Sequence, residues 1–320
     1  MNGFIPFPID DERYWERGCF VNQVLAGDCI SLMPWMPAES VDLTELSPPY
    51  GDMRLYKDAA KAYKFSPIAS QLYRVTRDGG IVAWNEADQR ENFSLSGTSW
   101  KHCLAFMDRG FKLLDVIIVD KNGLYNQYPY TTAQTLEYVF ILLKGDRPNF
   151  PESNIPRDRK NLHPNTPYHG TRRQQNDQLK ERKTQVSGKY SKCTQVWDLA
   201  DLIQTETPEV VKERMQAHTG QVWNINVAGG LMDTLVPIPN VSGVPKNEHP
   251  APMSDVLAAR LVKIYSRPGD LVFDPMNGFG TTTAVAALNN RRWFGIEYIE
   301  KWAEVARLRT QCAYITRVKE

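Results

Sequence analysis

Short apolar runs alternate with helical patterns at both ends of this chain and give way to a polar middle. Phe20 to Ala26, Val41 to Leu46, Ile81 to Trp84, Phe111 to Val119 and Leu136 to Leu143 are rich in branched and aromatic residues, and their lengths predict buried strands. Ser66 to Thr76 sets Ile68, Ala69, Leu72, Tyr73 and Val75 at near-helical spacing, stopped by Arg77-Asp78-Gly79-Gly80, and a second helix is predicted around Thr98 to Arg109. After the polar middle the alternation returns. A helix from Pro252 to Tyr265 carries Val256, Leu257, Leu261 and Ile264 on its apolar side; strands end at Asp274 and Glu297; the last helix, Ile299 to Val318, turns Trp302, Val305, Ala306 and Leu308 towards the sheet. Strands interleaved with helices predict an α/β fold with a doubly wound sheet. One large domain is assembled from residues 19–145 and 221–320, with residues 146–220 as a smaller insert.

The strand Val41 to Leu46 runs straight into Ser47-Pro48-Pro49-Tyr50. Each proline fixes its own φ and lacks an N–H, so the backbone oxygens of Ser47 and Pro48 are left facing whatever lies beyond the strand end. The Ser47 hydroxyl adds an adjustable acceptor, and Tyr50 a flat face on which a planar group can stack. An exocyclic amino group on a nucleobase fits such a hook. Its nitrogen lone pair is delocalised into the ring, and hydrogen bonds accepted by the hook pull it towards tetrahedral geometry. The alternative reading of these four residues is a Pro-Pro turn with a core tyrosine.

Far along the chain, Leu271-Val272-Phe273-Asp274-Pro275-Met276-Asn277-Gly278-Phe279-Gly280-Thr281-Thr282-Thr283-Ala284 reads as a strand ending in a glycine turn that opens a helix. Gly278 and Gly280 allow a tight turn and close approach to a ligand, and the helix start offers free N–H groups. A dinucleotide site would want a third glycine where Thr283 stands. The following strand ends in Glu297, where doubly wound folds place an acceptor for ribose hydroxyls, so a ribose is expected and a pyrophosphate is not required. Near the N-terminus, Asp28 stands either at such a strand end or as a plain helix N-cap before Ile30-Ser31-Leu32.

Together these stretches resemble the DNA amino-methyltransferases of the permuted order, in which the Pro-Pro-aromatic motif precedes the cofactor loop. The resemblance is carried by Gly27-Asp28-Cys29, Ser40-Val41-Asp42 leading into Ser47-Pro48-Pro49-Tyr50, Arg77-Asp78-Gly79-Gly80, Glu137-Tyr138-Val139-Phe140, His249-Pro250, and Asp274 through Thr282. It implies a Rossmann-like methyltransferase sheet and S-adenosylmethionine as cofactor. Asp274, Pro275, Asn277, Gly278, Gly280, Thr281, Thr282 and Glu297 would hold that cofactor, with Asp28 and the adjoining Cys29 at its adenine, while Ser47, Pro48, Pro49 and Tyr50 would hold the target base. It implies cytosine N4 as the methylated atom, because Ser47 stands where adenine-modifying relatives more commonly carry aspartate or asparagine; adenine N6 is the alternative. In that family an aromatic residue often stands where this chain has Val119, two before Lys121, so one of Tyr125, Tyr128 and Tyr130 is the candidate replacement wall. Double-stranded DNA is the implied partner, and the family also admits a cognate restriction endonuclease and a homodimer.

Composition sharpens this in the middle of the chain. Net charge is only +1 over 320 residues, so a nucleic-acid partner must show itself locally. Residues 151–192 hold ten Lys or Arg against four acids, with Asn and Gln frequent and aliphatics rare. Such a segment builds little core and suits a polyanion, so it reads as the DNA-contacting, target-recognising insert, with Arg172, Arg173 and Lys183 as contacts; a disordered linker is the alternative. Arg54 belongs to a basic, tyrosine-bearing stretch, Gly51 to Lys64, directly after the hook, placed to close over a flipped nucleotide. The five cysteines are scattered without zinc spacing, so neither a disulfide framework nor a metal is expected. The N-terminus lacks a signal-peptide pattern and no stretch approaches a membrane span, which predicts a cytoplasmic protein. Methylation of RNA or of a protein glutamine, and a DNA-binding regulator without catalysis, are the competing functions. The intact hook and glycine turn weigh against the regulator.

Overall fold

The structure is a computed structural model describing residues 8–49, 63–91, 93–125, 134–155, short backbone stretches between 159 and 198, residues 238, 239 and 244, and 253–319. Tyr50, Arg54, Tyr128, Tyr130, Lys183 and His249-Pro250 lie outside the described residues, as do Phe4 and Phe7 of residues 1–18, which the sequence suggests as an N-terminal arm whose aromatics pack over a domain edge.

The strands of the main sheet are β1 (Gln23–Ala26), β2 (Val41–Leu46), β3 (Thr76–Glu86), β4 (Phe111–Tyr125), β5 (Gln134–Lys144), β6 (Val196–Asp198), β7 (Leu271–Asp274) and β8 (Arg292–Glu297). The helices that matter for the site are α1 (Glu12–Glu16), α2 (Cys29–Leu32), α3 (Phe65–Val75), α4 (Thr98–Asp108), α5 (Asp255–Tyr265), α6 (Thr281–Leu288) and α7 (Glu300–Lys319). The eight strands run in the order β1-β8-β7-β2-β3-β5-β4-β6. Pairing is parallel from β1 to β3 and antiparallel through β3-β5-β4. β6, from within the 146–220 span, adds to the far edge parallel to β4.

Strand alternation explains why both faces are covered. Leu43, Ile81, Ala83, Ile141 and Val272 point to one side and pack with α5 and α6. Val82, Trp84, Phe140, Leu142, Phe273 and Phe294 point to the other, under α3, α4 and the N-terminal arm. The arm closes that face with Trp15, whose ring stacks on Phe20 at 5.6 Å and meets Phe294 edge-on at 6.0 Å. Burying each such ring is worth about 2–3 kcal/mol.

Three sequence expectations shift. Phe20 sits in a turn before β1 rather than in the strand. β3 begins at Thr76, not Ile81, because Thr76 pairs with Val41 across a register shift, and Gly80 is squeezed there: a Cβ would lie 2.8 Å from Thr76 Cγ2. Leu308 is 39% exposed, while Arg309 is 1% exposed and faces inward, donating to Thr281 Oγ1 at 2.9 Å. The Ser40-Val41-Asp42 stretch has a structural role: Asp42 accepts from Leu271 N at 2.8 Å and pairs with Arg77 at 2.8 Å, locking the starts of β2, β7 and β3 together.

β7 leads through α6 to β8 on one side, and β2 leads through α3 to β3 on the other. The chain therefore winds outward in opposite directions from the adjacent pair β7 and β2, and ligands bind beyond the carboxyl ends of strands at such a reversal.

Candidate functional site

A cleft of about 910 Å³, counted out to its open mouth, lies beyond the carboxyl ends of β1, β8, β7 and β2. One wall is the glycine turn after β7. Met276 N donates to Asp274 Oδ1 at 2.9 Å, Asn277 N to the Ile296 carbonyl at 2.9 Å, and Gly280 N to the Asn277 carbonyl at 2.7 Å. Gly278 and Gly280 take φ of +49° and +79°, the left-handed region that glycine enters without penalty. At Gly280 a Cβ would also meet Ala306 Cα at 2.8 Å, so this glycine is required by the packing of α6 on α7.

Glu297, at the end of β8, is the pivot of that wall. Its Oε2 accepts from Gly278 N at 2.7 Å and its Oε1 from Ile299 N at 2.9 Å. Burial raises its pKa and the backbone N–H groups pull it back. Each carboxylate oxygen has a second lone pair, so Glu297 can brace the turn and still accept from a ligand in the cleft. Asn277 is a brace of another kind: its Oδ1 accepts from Thr283 Oγ1 at 3.2 Å, and a Cβ on Gly295 would come within 2.6 Å of its Nδ2.

The facing wall is the end of β2. Ser47 and Pro49 border the cleft and Pro48 is buried behind them, with Tyr63 and Ile68 completing the surface. The Tyr63 hydroxyl is buried and has no hydrogen-bond partner among the described residues. Its pKa is raised, chiefly by burial and then by the charge of Glu86.

The floor near β1 is Asp28 and Cys29. Asp28 is the N-cap of α2: its Oδ1 accepts from Ile30 N and its Oδ2 from the Ser31 hydroxyl, both at 3.0 Å. It borders the cleft while doing so. The Cys29 thiol is pushed up to about 12 by burial and by the Asp28 charge, and stays neutral.

Among the residues singled out from sequence, the cleft thus gathers Asp28, Cys29, Ser47 and Pro49 with Asp274, Pro275, Asn277, Gly278, Thr281, Thr282 and Glu297. Pro48 and Gly280 stand behind it. Sequence reasoning passed over Met253, Phe279, Tyr298 and, as a cleft residue, Trp302, and reached Tyr63 only as part of the Gly51 to Lys64 stretch. Phe279 lies within the glycine turn and meets Trp302 edge-on at 5.9 Å, and Tyr298 follows Glu297, so adjacency could have found these. Met253 comes from a distant segment and carries no local signal. The cleft's apolar surfaces suit a flat ring, and its carboxylates suit hydroxyl and cationic groups.

Within the basic segment the described backbone forms three antiparallel ladders. Arg159–Lys160 pair with Tyr190–Ser191, Pro167–Tyr168 with Gln185–Val186, and Thr171–Arg173 with Leu179–Glu181. The pairs nest in sequence as three separate short two-stranded ribbons, with Arg172 in register with Lys180.

The chain is 32% identical over 267 residues to the orphan methyltransferase M.BamHII of Bacillus amyloliquefaciens, covering 83% of this chain and 87% of that one. A DNA modification methylase of Thermus thermophilus, solved with S-adenosyl-L-methionine, superposes with a TM-score of 0.52 at 19% identity, covering 92% and 95% of the two chains. The cytosine-N4-specific PvuII DNA methyltransferase superposes with a TM-score of 0.53 at 13% identity over 92% of each. Both show the Rossmann-like fold described above. Residues 41–308 match the N6/N4 family model described as DNA methylase, a span that includes the hook, the glycine turn and Glu297, and the chain belongs to that DNA methylase family.

Proposed function

We propose that this protein transfers a methyl group from S-adenosylmethionine to the exocyclic N4 of cytosine in double-stranded DNA, in the cytoplasm. The observation that carries this reading is the placement of the hook and the glycine turn on adjacent parallel strands, facing each other across one cleft where the winding of the sheet reverses. A nucleoside-bearing cofactor fits the residues present. Glu297 keeps lone pairs for ribose hydroxyls, the buried Tyr63 hydroxyl is unpartnered among the described residues, and Phe279 and Ile68 offer apolar surface.

When bound, the cofactor supplies a methyl group on a sulfonium, already activated for transfer to nitrogen. The chain's own work is positioning. Gly278 and Glu297 fix the cofactor side, and the carbonyls of Ser47 and Pro48 accept from the amino group of the base. The target base must leave its stack, which costs a few kcal/mol, and stacking on Tyr50 offsets part of that. The proton lost from nitrogen passes to solvent. Arg54 closes over the flipped nucleotide. The basic segment, with Arg172, Arg173 and Lys183, contacts the duplex as the target-recognising unit of residues 146–220; the two-stranded ribbon at Arg172 and Arg173 is a shape that the major groove admits.

The choice of cytosine rests on the neutral Ser47 at the head of the hook. Digestion of methylated DNA to nucleosides, followed by mass spectrometry, tests it. N4-methylcytosine is the expected product; N6-methyladenine alone would sink the base assignment and leave the fold and the cofactor cleft standing.

A further inference from the structure

Beneath the cleft lies a buried carboxyl that the reaction above does not use. Glu45 is fully buried in β2, two residues before Ser47, and neither of its oxygens has a well-formed hydrogen bond among the described residues. β2 and β7 are registered at Thr44 and Phe273, so the next residues, Glu45 and Asp274, neighbour each other and point to the same face. That face is covered by α6, with Thr282 beside both carboxyls. Asp274 also accepts from Met276 N, and both Asp274 and Thr282 border the cleft.

A hydroxyl has a single hydrogen to donate. Between two ionised carboxylates it can satisfy only one, and since Asp274 already has Met276 N, an ionised Glu45 would be the buried charge with least to offset it. One proton on Glu45 resolves this. Its O–H then donates to Thr282 Oγ1, whose O–H donates to Asp274. Asp274 is the member better suited to carry charge, since it has a backbone N–H and an opening to the cleft.

We propose that Glu45, Thr282 and Asp274 form a hydrogen-bonded relay in which Glu45 holds its proton throughout, and that a cationic ligand entering the cleft ionises Asp274 and expels the proton of Asp274 to solvent. This rests on the reading that the cleft takes S-adenosylmethionine, which carries positive charge. The surroundings agree in sign. Asp274 is pushed up to about 7, chiefly by burial, with the charge of Glu297 on β8 adding to it. Glu45 is raised well above the ordinary carboxylate range, first by burial and then by Asp274. From α2 the group facing Asp274 is the neutral Cys29 thiol, and from α7 Arg309 is engaged with Thr281, one residue from Thr282. A raised carboxyl is neutral below its pKa, so affinity for the cation falls about tenfold per pH unit below neutrality and levels off above it.

Infrared spectroscopy of the unliganded full chain at about pH 8 tests the proton on Glu45 without any cofactor. The expected result is a protonated carboxyl band that Glu45→Gln removes and Asp274→Asn leaves in place. No such band, or its loss in Asp274→Asn, overturns the relay. Calorimetry with S-adenosylmethionine in two buffers of different ionisation enthalpy should then show release of up to one proton at about pH 6, unchanged in Glu45→Gln and vanishing at about pH 8. Binding without release overturns the coupling. Failure to bind at any pH refutes the cofactor reading instead, and the infrared result still decides where the proton sits.

Discussion

The two walls of the cleft are built on opposite principles. On the glycine-turn side nearly every backbone group is tied down: Glu297 takes the N–H groups of Gly278 and Ile299, the Ile296 carbonyl takes that of Asn277, and the Asn277 carbonyl takes that of Gly280. On the hook side rigidity comes from the covalent rings of Pro48 and Pro49, backed by the buried Leu46 and Ile68. Polar ties hold a shape only while each partner is present and correctly protonated. Proline rings hold it regardless of any partner, because φ is fixed covalently. The first wall should therefore be fragile to single substitutions and the second robust, with its losses confined to the chemistry.

The widest split between the walls is expected at Glu297. Glu297→Ala strands two backbone N–H groups, one of them fully buried with the turn, and unsatisfied buried donors cost about 1–3 kcal/mol each. Chemical denaturation should show a loss of about 4 kcal/mol. Cofactor affinity read by calorimetry should fall by about a hundredfold or more, and Glu297→Gln, which keeps one acceptor, should recover part of both. A variant that retains wild-type cofactor affinity would show that Glu297 is a brace alone.

Gly280→Ala probes the same wall without touching the cleft. The new Cβ meets the backbone of Ala306 and the φ of +79° is unfavourable for any L residue, so about 3 kcal/mol of stability should go. Because Gly280 does not border the cleft, affinity should fall only through displacement of the turn, by about tenfold or less. Equal losses at Gly280 and Glu297 would erase the distinction between supporting and contacting the ligand.

What could be read in advance follows the same division. The hook, the glycine turn and the terminal carboxylate of β8 are local signals: prolines after an apolar run, paired glycines after a strand, an acid closing a strand. Residues whose meaning depends on the third dimension were not legible. Leu308 and Arg309 are neighbours on α7, and apolarity alone assigns the leucine inward; the reverse holds because the Thr281 hydroxyl offers Arg309 an acceptor that no helical pattern reveals. Glu45 is a similar case. An acid in a strand suggests a solvent-facing position, yet Glu45 shares the covered face of Leu43, and the residues beside its carboxyl, Asp274 and Thr282, lie more than two hundred residues away in sequence. Met253 reaches the cleft from about two hundred residues beyond the hook, which only the assembled sheet brings together. The basic segment was legible as composition, while its strand pairing was not.

The smallest effect is expected on the hook itself. Ser47→Ala removes a hydroxyl but neither the carbonyl of Ser47 nor that of Pro48, and the rings of Pro48 and Pro49 keep both oriented. Stability should change by no more than about 0.5 kcal/mol, as for a partly exposed position outside the core. Cofactor affinity should stay within about twofold, since the ties that hold the glycine turn run through Glu297, Ile296 and Asn277. One lost hydrogen bond of about 1 kcal/mol corresponds to roughly fivefold in kcat, and that is the loss expected in single-turnover methyl transfer. A loss of a thousandfold or more would mean that the hydroxyl, and not the two carbonyls, governs the amino nitrogen. No change at all would leave the carbonyls as the whole of the hook and would remove the feature on which the choice of cytosine rests. Either result would be informative only alongside unchanged cofactor affinity, because a hook variant that loosened the cofactor would show that the two walls are not independent.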